Sequence, residues 1–168
     1  IALQPDNANY WHELGRVNRR LKEMDAAVAA FEKAITLQPS LAEAHHDLAL
    51  ALADQRDDVR AAAAYRQSLA INPDFVEALN NLGVLLEEQG NSDEAIDLLR
   101  RAVQLKQTAP DLWNNLGVAY AAKRDYDEAI RCYEKALQLD PRYAAALNNL
   151  GNAQRSVGEI EASISSLR

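Results

Sequence analysis

Residues 110–143 read PDLWNNLGVAYAAKRDYDEAIRCYEKALQLDPRY, and the spacing inside this stretch decides the fold. It sets Trp113, Leu116, Gly117, Tyr120, Ala129, Tyr133, Ala136 and Pro141 at intervals that the rest of the chain repeats. Pro5, Pro39 and Pro73 stand 34 residues apart and Pro141 comes two periods later; Gln107 takes the intervening slot. Leu14, Leu48, Leu82, Leu116 and Leu150 share one slot. Gly15, Ala49, Gly83, Gly117 and Gly151 share the next, and Ala27, Ala61, Ala95, Ala129 and Ser163 a third. Self-similarity at a period of this length marks a stack of identical supersecondary units.

Each unit reads as a helix pair. Leu79, Leu82 and Leu86 recur at helical spacing, and so do Ala95, Leu98, Leu99 and Ala102. Small residues at the Gly15 and Ala27 slots allow two helix backbones to approach closely, while Leu14 and Phe31 fill the space beside them. Ser40-x-x-Glu43, Asp74-x-x-Glu77, Asn91-x-x-Glu94 and Asp125-x-x-Glu128 read as capping boxes at helix starts. Each proline ends a second helix, because it lacks the amide proton and restricts the residue before it.

The slots resemble the tetratricopeptide repeat (TPR) pattern W-x2-L-G-x2-Y…A-x3-F…P, with Tyr133 in the aromatic position. The resemblance covers essentially the whole chain and implies an all-α fold, a right-handed superhelical solenoid of antiparallel helix pairs. The expected organisation is a single array over 1–168. Residues 1–7 end a preceding repeat, 8–41, 42–75, 76–109 and 110–143 are complete repeats, and 144–168 is a partial one. The chain is expected to stop inside the second helix of that fifth repeat, as a fragment of a longer array. Exposed apolar ends, with Ile164 and Leu167 as candidates, would then favour end-to-end self-association.

The formal net charge of −7 and the pI near 5.0 argue against a general nucleic-acid-binding surface, which needs basic patches to neutralise phosphate. No apolar run is long enough to span a membrane, so the expected setting is cytoplasmic. One cysteine, Cys132, excludes an intrachain disulfide and reads as a small packing residue. There is no glycine-rich phosphate loop, C-x-x-C, H-E-x-x-H or G-x-S-x-G, so no enzyme chemistry and no cofactor are expected. His12 and His46 occupy equivalent slots beside Glu13 and Asp47, too far apart to share a metal ion directly. His45 is expected to pack in the slot used by Trp11 and Trp113.

By resemblance, the first helices line a concave groove, and its slots divide into three zones. The first repeat offers a basic patch of Arg16, Arg19 and Arg20, suited to an acidic partner. The second and third offer Glu43, Asp47, Asp54, Glu77, Glu87 and Glu88. The third to fifth offer the pairs Asn80–Asn81, Asn114–Asn115 and Asn148–Asn149, with Asn152, Val84 and Val118 beside them. An asparagine amide supplies both donors and an acceptor. A row of them at repeat spacing suits the main chain of an extended peptide. Asn81, Asn115 and Asn149 are similar in placement to the asparagine ladder of O-GlcNAc transferases; the first two repeats hold Glu13 and Asp47 there. The alternative is that the amides satisfy neighbouring helices. A chaperone-type carboxylate clamp lacks its cations in either set of three repeats.

The expected function is a protein–protein interaction scaffold that holds a peptide or partner segment in the groove. Two alternatives stay open: the substrate-recruiting arm of a larger enzyme such as a glycosyltransferase, and a self-assembling structural scaffold.

Overall fold

The computed structural model describes residues 6–166, with side chains as far as 158. Ile1–Pro5 and the side chains of Ile164 and Leu167 therefore lie outside the described residues. Among those described there are nine α-helices and no strand. The first helices of the repeats are α1 (Ala8–Arg20), α3 (Ala42–Asp54), α5 (Val76–Glu88) and α7 (Pro110–Ala122). Their second helices are α2 (Met24–Leu37), α4 (Asp58–Ile71), α6 (Ser92–Leu105) and α8 (Tyr126–Leu139), and α9 (Ala144–Ser166) follows them. The chain forms two compact units, Ile1–Ala78 and Leu79–Arg168.

Second helices end at Leu37, Ile71, Leu105 and Leu139, in register whether or not a proline stands after them. At the Gln107 slot the register survives without the ring, and the main chain there serves another purpose. Its carbonyl accepts a hydrogen bond from Trp113 Nε1 at 2.9 Å. His45 Nε2 makes the same contact to the Pro39 carbonyl at 3.0 Å, so histidine and tryptophan fill one slot in the same way.

The turn inside each complete repeat is a repeated C-cap. Lys22, Arg56, Gly90 and Arg124 adopt φ of +63°, +65°, +81° and +62°. The next residue then sends its N–H back to a carbonyl five residues earlier, as from Glu23 to Asn18 (2.9 Å) and from Asn91 to Leu86 (2.8 Å). This satisfies carbonyls that the helix end leaves open. Left-handed geometry costs a side-chain-bearing residue about 1–2 kcal/mol. Three repeats bear that cost with a basic residue, and only the third uses glycine.

The caps agree with the sequence reading in part. Asp57 and Asp125 accept from the backbone N–H of Arg60 and Glu128 at 3.2 and 3.4 Å. Asn91 is the N-cap of α6 but makes no such bond; its amide bonds Glu94 instead. Ser40 is one residue too early, because α3 is capped by Leu41 without a side-chain hydrogen bond.

Packing within the pairs depends on the small slots. Ala27, Ala61, Ala95 and Ala129 are fully buried. A Cβ at Gly15 would lie 2.5 Å from the Phe31 ring, and one at Gly117 2.5 Å from the Tyr133 ring. At Gly83 it would lie 2.7 Å from Leu99. The missing Cβ atoms are thus the seats of the largest buried side chains, each worth about 1.5–3 kcal/mol when fully buried. Ser68 stands where Ala34, Ala102 and Ala136 stand in the other repeats. It is fully buried, and its hydroxyl donates to the Ala42 carbonyl at 2.8 Å.

The fifth repeat differs from expectation. The chain does not turn into a second helix; α9 runs unbroken from Ala144 to Ser166, through Gly158. Gly158 occupies the slot of Lys22, Arg56, Gly90 and Arg124, but its backbone stays helical. The two glycines should therefore respond oppositely to alanine. Gly90→Ala is expected to destabilise by about 1 kcal/mol through strain at positive φ. Gly158→Ala, with open space around its Cβ, is expected to stabilise by about 0.5–1 kcal/mol. Urea unfolding monitored by circular dichroism measures both, and destabilisation by Gly158→Ala would mean that the chain turns there after all.

Candidate functional site

In the Leu79–Arg168 unit, the asparagine slots lie on α5, α7 and α9 and bond to one another. Asn149 Nδ2 donates to Asn114 Oδ1 at 3.0 Å, and Asn114 Nδ2 donates to Asn115 Oδ1 at 3.4 Å. Asn115 Nδ2 donates to Asn80 Oδ1 at 2.9 Å, and Asn80 Nδ2 to Asn81 Oδ1 at 3.2 Å. Five amides on three helices thus form one chain of hydrogen bonds. Asn114 is buried, Asn80, Asn81, Asn115 and Asn149 are half-buried, and Asn148 is exposed. Asn152 is also exposed and accepts from Arg155. Asn80 and Asn114 are therefore full members of the network, whereas their counterpart Asn148 stands at the surface beside it.

Val84 and Val118 are half-buried beside the row. Val118, Asn149 and Asn152 line a cleft of about 290 Å³ together with Glu87, Tyr126 and Ser156. Burial, reinforced by the neighbouring Glu88, pushes the Glu87 carboxyl above its ordinary pKa. The cleft thus joins an apolar wall to an amide edge and a carboxylate.

In the Ile1–Ala78 unit, the equivalent slots carry a different polar chemistry. His12 Nε2 lies 2.8 Å from Asp47 Oδ2, and His46 Nδ1 lies 3.0 Å from Asp47 Oδ1. The two histidines thus meet on one carboxylate. His46 is also packed against Tyr65 and Phe75, with ring centroids 5.8 and 4.9 Å away. Burial works to raise the Asp47 pKa. The hydrogen bonds and positive charge of His12 and His46 outweigh it and hold the carboxyl well below the usual carboxylate range. No group of three or more His, Cys, Asp or Glu side chains among the described residues has a metal-binding arrangement.

The basic patch is partly paired. Arg19 Nε bonds Asp54 Oδ2 at 2.7 Å, and Arg16 Nη1 bonds Glu13 Oε1 at 2.7 Å, with Asp47 3.9 Å from its Nε. Arg20 is exposed at the end of α1.

Sequence reasoning missed the partnering rule behind these contacts. The pairs His12–Asp47, Asn80–Asn115 and Asn114–Asn149 are each separated by 35 residues, as is Arg19–Asp54. That is one period plus one: counting from Ala8, Ala42, Val76, Pro110 and Ala144, the fifth slot of one repeat meets the sixth of the next in the first three pairs, and the twelfth meets the thirteenth in Arg19–Asp54. Adjacent polar residues in slots five and six were the available signal.

Cys132 is buried, and burial pushes its thiol up to about 12. Native protein at pH 8 should therefore resist iodoacetamide, whereas protein in urea should be alkylated, as mass spectrometry would read; rapid native labelling would contradict this burial. Asp47 gives a pH-dependent expectation. Its folded pKa lies below its unfolded one, so its stabilisation is present above the ordinary carboxylate range and is lost as pH falls through it. Asp47→Asn should cost about 1.5–3 kcal/mol near pH 5, the scale of hydrogen bonds to a charged group. The gap from wild type should narrow towards pH 2, and an equal gap at both values would refute the assignment.

Family models match the chain along its length. The model described as the cytochrome c-type biogenesis protein H TPR domain matches residues 1–108, and two described as tetratricopeptide repeat match residues 110–143 and 132–164. No curated protein matches the sequence. Among solved structures, the crystal structure of MamA protein is similar with a TM-score of 0.85 at 23% identity, over 94% of this chain and 86% of that one. Pseudomonas aeruginosa PilF gives a TM-score of 0.80 at 25% identity, over 90% of this chain and 69% of that one. Cut9 in the APC/C hetero-tetramer Cut9–Hcn1 gives 0.78 at 27% identity, over 98% of this chain and 33% of that one. Among the described residues no helix is long and apolar enough to cross a membrane. The chain belongs to the tetratricopeptide repeat family, and its residues 1–108 to the cytochrome c-type biogenesis protein H TPR domain within it.

Proposed function

We propose that this chain is a protein-interaction scaffold whose asparagine row binds an extended segment of a partner protein through its main chain. The observation that carries this reading is the hydrogen-bonded amide chain from Asn149 to Asn81. Each amide has two N–H donors and an oxygen with two lone pairs. In the middle of the row, one donor and one acceptor position are used internally. A donor and an acceptor position therefore remain at the half-buried Asn80 and Asn115, on side chains already held in place. Such preorganisation lowers the entropy cost of binding.

A peptide backbone presents the complementary N–H and C=O groups at every residue except proline. Main-chain recognition is tolerant of sequence; the apolar side of the Val118 cleft adds a preference for an apolar side chain. No group in the row is a nucleophile or a general base poised by a partner, which favours binding over catalysis.

The test begins with peptides selected from a random display library on the wild-type chain. Their affinity is then measured by fluorescence anisotropy for wild type and for the Asn81→Ala, Asn115→Ala, Asn149→Ala triple variant. Removing hydrogen bonds worth about 0.5–1.5 kcal/mol each should weaken binding at least tenfold, with helicity retained in circular dichroism. N-methylation of the peptide backbone should weaken it similarly. Equal affinity of the folded triple variant for every selected peptide would overturn the proposal.

A further inference from the structure

The Ile1–Ala78 unit holds a second cleft, of about 630 Å³, lined by Arg16, Arg19, Arg20, Lys22, Asp47, Asp54, Met24 and Phe31. Four cations and two carboxylates face it, against the trend of a chain whose net charge is −7. The two carboxylates are already engaged. Asp47 is held by His12 and His46, and Asp54 by Arg19. Arg16 divides its guanidinium between Glu13 and the edge of Asp47. Arg20 and Lys22 are exposed, and no carboxylate among the described residues is paired with either.

Local structure explains why cations collect here. Arg19 and Arg20 stand in the last turn of α1, where the helix dipole is negative and favours positive charge. Lys22 comes next at the left-handed C-cap, φ +63°, which carries the chain round the end of the helix. The helix end holds two side chains of one sign at the cleft without neutralising them.

We propose that this cleft is a docking site for an acidic peptide segment of a partner protein, held by Arg20 and Lys22 and oriented by Arg16. It is separate from the asparagine row and does not depend on it. The volume lies in the range of built ligand clefts, about 300–1,000 Å³. Apolar surface from Met24 offers a seat for one apolar side chain between the acidic ones. A peptide fits better than a nucleic acid. The cleft is lined by Asp47 and Asp54, and a polyphosphate needs several unopposed cations to release its counterions.

The experiment is fluorescence anisotropy with three labelled probes on the full chain. These are a decapeptide of glutamate, leucine and serine, the same peptide with glutamine for every glutamate, and a single-stranded oligonucleotide. The acidic peptide should bind at least tenfold more tightly than its glutamine version, and weaken as salt rises from 50 to 200 mM. Arg20→Glu/Lys22→Glu should abolish that preference, with helicity unchanged. The asparagine triple variant should bind the acidic peptide like wild type, which separates this site from the row. Failure of the acidic peptide to bind, equal binding of the glutamine version, indifference to the charge reversal, or tighter binding of the oligonucleotide would each overturn the proposal.

Discussion

Everything in this structure depends on how closely two helices can approach inside one repeat. At Gly15 and Gly117 the space of a single Cβ is taken by an aromatic ring from the facing helix, and at Gly83 by a leucine. Beside each contact a fully buried alanine lets the backbones close further. These contacts fix the roll of each first helix, and hence which of its residues turn away from the pair. Slots five and six are among those that do. A slot-five side chain is consequently presented towards the next first helix, where it finds a slot-six partner 35 residues on.

The same scaffold geometry carries two different chemistries. In the first unit the paired slots hold imidazole and carboxylate, and in the second they hold amides. The carboxyl of Asp47 is half-buried, and the hydrogen bonds from His12 and His46 favour its anion over the cost of burial. The amide row is uncharged and makes no comparable electrostatic demand. It can therefore keep unused hydrogen-bonding capacity at half-buried positions, while in the first unit the Asp47 and Asp54 carboxylates are engaged by His12, His46 and Arg19.

Much of this was legible in the chain because slot identity encodes it. The 34-residue period, the small slots and the helix-ending prolines are written in residue type, and the helices end on schedule even at Gln107. The polar network was not legible in the same way. Asn80 and Asn115 are neighbours only because consecutive first helices pack with an offset of one residue, a property of the stack and of no single residue. Left-handed turns at Lys22, Arg56 and Arg124 were equally hidden, since basic residues give no sign of positive φ. Gly158 shows the converse. Its identity repeats the turn glycine of the third repeat, but its backbone stays helical and α9 continues through it, so residue type at that slot does not by itself dictate the turn. Ser40 failed as a cap for a smaller reason: the helix begins one residue later than its pattern.

The amide row also has a direction. Each amide but the last donates to the next member, from Asn149 through Asn114, Asn115 and Asn80 to Asn81. The dipoles lie head to tail, and each polarises the next. Reversing one amide would set donor against donor on one side and acceptor against acceptor on the other, so the amides must turn together or not at all. The row is therefore a polar track with two unlike ends. A peptide backbone, itself a polar chain, is not equivalent when laid along it forwards and backwards.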